Sequence, residues 1–156
     1  MTASLQLVPA TMADYATLAQ IGHDAFEPDK LAFGEGPTLY EDPTFLLPYL
    51  RDDDGTVQKL VLDGQTIGVV LTFQREVGYR WLGCLCLSPA HQGKGYGSQA
   101  IRLLEARYPD ARRWGLDTPT QKTQNLHFYR KAGYVAIAES EPFPGFKLTV
   151  FQKDMP

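Results

Sequence analysis

Along the chain, apolar positions first alternate, then recur at helical spacing, then alternate again, and each change of period marks an element boundary. LQLV, residues 5 to 8, alternates weakly up to Pro9 and reads as a short first strand. Thr11 opens a polar cap region, after which Tyr15, Leu18, Ala19 and Phe26 fall at helical spacing until Pro28, where the helix is expected to stop. PDKLAFGEGPTLYEDP, residues 28 to 43, is rich in Gly, Pro and acid, so it reads as a long loop or as a loop holding a broken helix. Loops of that length in a compact domain tend to be functional. PTFLLPYLR, residues 43 to 51, predicts a short second helix despite Pro48.

From Thr56 the period becomes that of strands. TVQKLVL and QTIGVVLTFQRE are separated by Asp63-Gly64, a pair that favours a tight hairpin turn. RWLGCLCL, residues 80 to 87, is a third apolar strand, and beyond Pro89 a glycine-rich turn leads into a helix with Ala100, Ile101, Leu104 and Tyr108 on one stripe. ARRWGLDT is then a strand ended by Pro119. A helix over about residues 122 to 132 ends at Gly133, which can take the left-handed cap conformation with apolar Tyr134 just beyond. YVAIAE and FKLTVFQKDM close the chain as a hairpin. This order predicts an α/β fold, a mixed central sheet covered by helices on both faces.

Length and composition narrow the function. At 156 residues, 44% of them hydrophobic and 21% charged, the chain has the size and balance of one ordinary globular domain. A net charge of -3 argues against a large nucleic-acid footprint, which needs clustered Lys and Arg. The start MTASLQLVPATMADY has neither the basic opening nor the apolar stretch of a secretory signal, and no apolar run approaches the length of a membrane span, so a cytoplasmic location without membrane partners is expected. Cys84 and Cys86 lie two apart on a strand, roughly 6.5 to 7 Å from each other, which suits buried thiols and not a disulfide. His23, His91 and His127 show no metal or triad spacing, and no metal site is expected.

The segment LSPAHQGKGYGSQAIRLLE carries the clearest chemical signal. A helix N-terminus offers unpaired N–H groups and the positive end of the macrodipole, so a glycine-lined turn entering a helix is a ready seat for an anion such as pyrophosphate; a tight structural turn is the alternative. Gly93, Gly95 and Gly97 have single-residue gaps and do not fit the dinucleotide pattern GxGxxG. Gly93-Lys94 is followed by Gly95 where an ATP phosphate loop needs Ser or Thr. Gln92-x-x-Gly95-x-Gly97 after an apolar strand instead resembles the pyrophosphate loop of the general N-acetyltransferase (GNAT) superfamily. The resemblance continues in TQNLHFYRKAGYV, residues 123 to 135, where Asn125 precedes Tyr129 by four residues and Gly133-Tyr134 follows.

That resemblance implies a single GNAT-like domain over residues 1 to 156, with a mostly antiparallel twisted sheet of six to seven strands, splayed where the cofactor enters. It implies an acetyl-CoA-dependent N-acetyltransferase in which a primary amine of a small molecule or peptide attacks the thioester directly. The implied cofactor residues are the backbone of Leu85, Cys86 and Leu87 for the pantetheine arm, the loop Gln92, Gly93, Lys94, Gly95, Tyr96, Gly97 and Ser98 for the pyrophosphate, and Asn125, Phe128 and Tyr129 on the later helix. Tyr129 is the implied general acid, since an ordinary phenol of pKa about 10 is protonated at neutral pH. Many relatives place a Glu base on the strand before the loop, but here the same-face positions are Trp81 and Gly83. Glu76, Glu41 and Asp117 remain as base candidates, with Glu76 ranked first because it ends the adjacent strand. The other reading is a non-catalytic acyl-CoA-binding or sensor module. Acceptor choice is expected to lie in residues 28 to 55, and the sequence is compatible with a homodimer.

Overall fold

The computed structural model describes residues 4–33, 42, 44–52 and 56–156. Seven strands, β1 (Leu5–Pro9), β2 (Val57–Leu62), β3 (Gln65–Glu76), β4 (Tyr79–Leu87), β5 (Arg113–Pro119), β6 (Val135–Phe143) and β7 (Phe146–Asp154), form one mixed sheet in the order β1-β2-β3-β4-β5-β7-β6. Pairing is antiparallel at β1/β2, β2/β3, β5/β7 and β6/β7 and parallel at β4/β5. Among the described residues the α-helices are α1 (Tyr15–Phe33), α2 (Leu47–Asp52), α3 (Tyr96–Arg107) and α4 (Thr123–Lys131). This is the expected α/β class. Among the described residues no helix is long and apolar enough to cross a membrane.

The Asp63-Gly64 turn has φ of 51° and 81° at its two residues. Two consecutive positive values give the turn whose twist matches flanking strands, which is why that dipeptide was legible. The chain divides into two compact units, Met1–Leu71 with Cys84–Leu104, and Thr72–Gly83 with Glu105–Pro156.

In the first unit, Leu18 and Ile21 of α1 and Leu46 and Leu50 at α2 pack with Val57, Val69, Leu71 and Cys86. Cys84 lies against the same core, and the two cysteines are not joined by a disulfide. The expectation that Pro28 ends the first helix is corrected, because α1 runs through Pro28 to Phe33. A proline inside a helix removes one i to i−4 hydrogen bond, and Leu18, Ile21 and Phe26 on the turns before it are held by the core. Pro48 is the second residue of α2, in the first turn, where its missing N–H costs nothing. Gly68 has a packing reason: a Cβ there would lie 2.7 Å from the Cys86 carbonyl oxygen. The start of α1 is tied to β2 by an ion pair of 2.9 Å between Asp14 and Lys59, both largely buried. Burial pushes the Asp14 carboxyl up, but hydrogen bonds from Lys59 and Thr11 and the Lys59 charge more than undo this and hold it below the usual value.

In the second unit, Trp114, Leu116 and Thr118 are buried along β5, and Phe151 and Thr149 stand beside them on β7. Lys153 gathers three elements, donating to both oxygens of Glu105 on α3 at 2.9 and 3.0 Å and to the Ala132 carbonyl at the end of α4 at 3.0 Å. Helix α4 closes as the Gly-Tyr pair predicts. Gly133 has φ of 99°, its N–H donates to the Arg130 carbonyl, and the Tyr134 N–H donates to the Tyr129 carbonyl. These are the two bonds of a Schellman motif, completed by apolar contact between the Tyr129 and Tyr134 rings, 6.0 Å apart. Burial, with the charges of Glu105 and Tyr129 adding to it, pushes the Tyr134 phenol well above its ordinary value. The outermost strand β6 is exposed at all nine positions.

Candidate functional site

Leu85, Cys86 and Leu87 are the last residues of β4. The Cys86 side chain is buried in the core of the first unit, while Leu85 and Leu87 are half-buried. The strand end is fixed by the Ser88 N–H donating to the Ile67 carbonyl at 2.8 Å, and by a 2.6 Å hydrogen bond between the Ser88 hydroxyl and His91 Nδ1. Pro89–His91 form a single 3-10 turn. Gln92 follows, and its side-chain Nε2 reaches back 3.0 Å to the Leu87 carbonyl, a latch that no sequence pattern announced.

Gly93 and Gly95 have φ of 73° and 85°, values that L side chains adopt only with strain. A Cβ built on either meets no atom within 4 Å. The protein therefore does not crowd these glycines; the backbone path requires them, and the space beside them is open. Gly97 has no positive φ and is the second residue of α3. The Gly95 carbonyl accepts the Gln99 N–H at 3.2 Å, so the N–H groups of Tyr96, Gly97 and Ser98 precede the first helical donor and point out along the axis with the positive end of the dipole. Lys94 is exposed at the same turn. The loop suits an anion of pyrophosphate type.

The second unit holds the other predicted residues. Asn125 donates from Nδ2 to the Thr118 hydroxyl at 3.1 Å, which leaves its Oδ1 as an acceptor. Tyr129 is the buried residue of α4, with Phe128 edge-on at 5.0 Å and Phe151 at 6.0 Å. Phe128, the other aromatic residue of the implied cofactor set on this helix, is only half-buried. Glu76 is the exposed last residue of β3, beside a fully exposed Val77. Glu41 lies outside the described residues, as does much of the 28 to 55 segment expected to choose the acceptor. Asp117 differs from both, since burial raises its carboxyl above the usual range while the Arg75 charge pulls the other way. His23 and His127 are exposed, and among the described residues no group of three His, Cys, Asp or Glu could hold a metal ion.

One cluster escaped the sequence reading. The β4/β5 register runs from Tyr79↔Arg113 to Trp81↔Gly115 and goes no further among the described residues, although β4 continues to Leu87 and β5 to Pro119. At its last pair a Cβ on Gly115 would meet the Tyr79 hydroxyl and come within 2.8 Å of the Trp81 ring. The Arg75 guanidinium lies over that ring, 3.7 Å from its centroid. A glycine inside a strand pattern is a signal of such close approach, and Gly115 carried it.

Comparison with known proteins agrees with this geometry. Residues 19–134 match the model of the acetyltransferase (GNAT) family. A Bacillus subtilis protein, YrkN, described as uncharacterized, is 30% identical over 80 residues, which cover 50% of this chain and 43% of that protein. The chain thus spans less than half the length of that relative. Among solved structures, an acetyltransferase from Thermus thermophilus superposes with a TM-score of 0.78 at 25% identity, covering 97% of both chains. The PaiA N-acetyltransferase of Thermoplasma acidophilum, solved in complex with coenzyme A, has a TM-score of 0.78 at 15% identity over 97% of this chain and 99% of its own. Because that family model covers most of the chain, the protein belongs to the acetyltransferase (GNAT) family.

Proposed function

We propose that the protein is an N-acetyltransferase that moves the acetyl group of acetyl-CoA to a primary amine of a small molecule or peptide. The carrying observation is the open, positive-φ glycine turn at the start of α3 in a chain of this family. Acetyl-CoA supplies an activated thioester and a pyrophosphate. In the first unit the N–H groups of Tyr96, Gly97 and Ser98, with Lys94, hold the pyrophosphate by charge and by the helix dipole. The backbone of Leu85–Leu87 pairs with the extended pantetheine arm as an added strand. In the second unit Asn125 Oδ1 accepts from an amide of the arm, and the Tyr129 hydroxyl protonates the departing thiolate. Burial of the Tyr129 ring and the cap behind it hold that hydroxyl in one place.

The test has two arms. Acetyl-CoA should raise the melting temperature, because a ligand of the native state adds stability by mass action, while NAD and ATP at equal concentration should not. Thiol release with acetyl-CoA against a panel of amines should then show turnover, reduced by about 100-fold or more in Tyr129→Phe with cofactor affinity unchanged. Absence of a thermal shift with any CoA ester removes the cofactor assignment. A shift without transfer to any amine leaves an acyl-CoA-binding or sensor module.

A further inference from the structure

Strand β5 presents different chemistry on its two faces. Trp114, Leu116 and Thr118 are buried and Asn125 of α4 bonds Thr118, so the residues of opposite parity, Gly115 and Asp117, belong to the other face. On that face the parallel register sets Trp81 beside Gly115, and the Trp81 ring fills the space that a side chain on Gly115 would need. Arg75 of β3 lays its guanidinium on this ring, 3.7 Å from the centroid. Trp81 is only 7% exposed, whereas Arg75 is exposed, so the guanidinium covers the ring with its flat side and meets water with the rest. Among the described residues Arg75 has neither a hydrogen bond nor an ion pair, and Asp117 feels its charge without bonding it. A guanidinium held by its face keeps its N–H donors in the plane of the fork, and stacking has ordered them before any ligand arrives. Covering a tryptophan needs no charge, and solubility needs no stacking. A stacked guanidinium with every donor free is a receptor for a planar anion.

We propose that Arg75 reads the acceptor by binding a carboxylate that the amine carries, so that the substrates are amino acids or other amines with one acid group. The proposal rests on the transferase reading above and deepens it. A carboxylate takes paired, parallel N–H bonds from the guanidinium fork, which is the geometry that a stacked arginine offers. A single cation with Asp117 in its neighbourhood suits a single negative charge, because a dianionic phosphate would bring a second charge into repulsion with Asp117. Phe73 stands two residues back on the same face of β3 and is 37% exposed, so an apolar portion beside the acid has a surface to lie on. Trp81 is a positioning residue here, acting through the guanidinium it orients. Strand β4 carries both Trp81 and the Leu85–Leu87 segment assigned to the pantetheine arm, so the strand that holds the donor also carries the anchor of the acceptor.

Calorimetric titration of the full chain with 3-phenylpropionate and with 3-phenylpropionamide tests the receptor with no amine present. The acid should bind about tenfold or more tighter than the amide. Arg75→Met, which can still lie on Trp81, should erase the preference, and Arg75→Lys, a charge without the fork, should keep part of it. Asp117→Asn should tighten binding of the acid several-fold and leave the amide unchanged, a direction that an arginine serving only to cover Trp81 does not produce. Equal binding of the two probes by the wild type overturns the proposal, as does a preference that survives in Arg75→Met with a native circular dichroism spectrum. Thiol release from acetyl-CoA is then compared for amino acids of increasing chain length and for their amides. At least one amino acid should show a lower KM than its amide, and Arg75→Met should abolish the difference. If the binding preference is present but no amine releases thiol, the transferase reading falls and the carboxylate site stands. If thiol is released with equal KM values for every acid and its amide, the acceptor role of Arg75 falls and the transferase stands.

Discussion

Replacing Gly133 by alanine probes what holds the end of α4, and Tyr129 with it. Two costs can be worked from the structure. The residue has φ of 99°, and an L side chain in that region costs about 1–2 kcal/mol. The new Cβ would also lie 3.2 Å from Lys153 Cε and 3.4 Å from its Nζ. Lys153 cannot swing aside freely, because its Nζ holds Glu105 and the Ala132 carbonyl within 3.0 Å. Loosening that partly buried cluster adds about 1 kcal/mol. The sum, about 2–3 kcal/mol, corresponds to a Tm lower by about 4–12 °C in a chain of this size. Lys153→Ala removes the obstruction, so in that background the Gly133→Ala cost should shrink to its backbone part. Urea unfolding of the four proteins of this double-mutant cycle should give a coupling of about 1 kcal/mol. Strict additivity would refute the obstruction, and a Gly133→Ala cost below about 0.5 kcal/mol would refute the whole account.

Three further outcomes are expected. Gly95→Ala meets no neighbour, so urea unfolding should show a loss of about 1–2 kcal/mol from φ alone, while titration with acetyl-CoA shows at least tenfold weaker binding because the methyl enters the open space beside the turn. Asp14→Asn should cost about 1 kcal/mol at pH 7. Because the folded-state pKa of Asp14 lies below the unfolded one, this contribution is present above about pH 4 and is lost as pH falls through the folded value, so the two proteins should converge in acid unfolding curves. Asp117 has the opposite sign. Its raised pKa gives the wild type stability that is present below about pH 4 and is lost as pH rises through the folded value, so Asp117→Asn should match the wild type at pH 3 and exceed it at pH 7.

What the sequence revealed follows the range of the interactions. The Asp63-Gly64 turn and the Gly133-Tyr134 cap were legible because each is set by a few consecutive residues whose φ values have a known residue preference. The glycine loop was legible as a helix entry for the same reason, although Gly97 proved to have ordinary helical geometry. Pro28 misled because local chemistry alone predicts a stop, while the cost of one missing hydrogen bond is outweighed by packing of Leu18, Ile21 and Phe26, which propensity does not weigh. The cluster of Arg75, Trp81, Gly115 and Asp117 could not be read, because it depends on a parallel register joining strands separated by a helix. The Gln92 latch spans only five residues, but it rests on a side-chain conformation that no residue pattern announces.

The exposure of β6 bears on how concentrated solutions of the protein behave. An edge strand with bare N–H and C=O groups and apolar side chains is a template for a strand of another molecule. Here Val135, Ile137 and Phe143 are 63%, 52% and 42% exposed on that edge. Two devices interrupt the template. The β6/β7 register shifts between Ala136 and Ala138, which makes Ile137 the extra residue of a bulge. Beyond it Glu139, Glu141 and Pro142 break the apolar run, and Glu141 is partly committed to the following turn through the Gly145 N–H. Colloidal stability thus hangs on very few positions, and Ile137, unpaired in the register and facing solvent, is the one where a lysine would add protection while leaving both cores untouched.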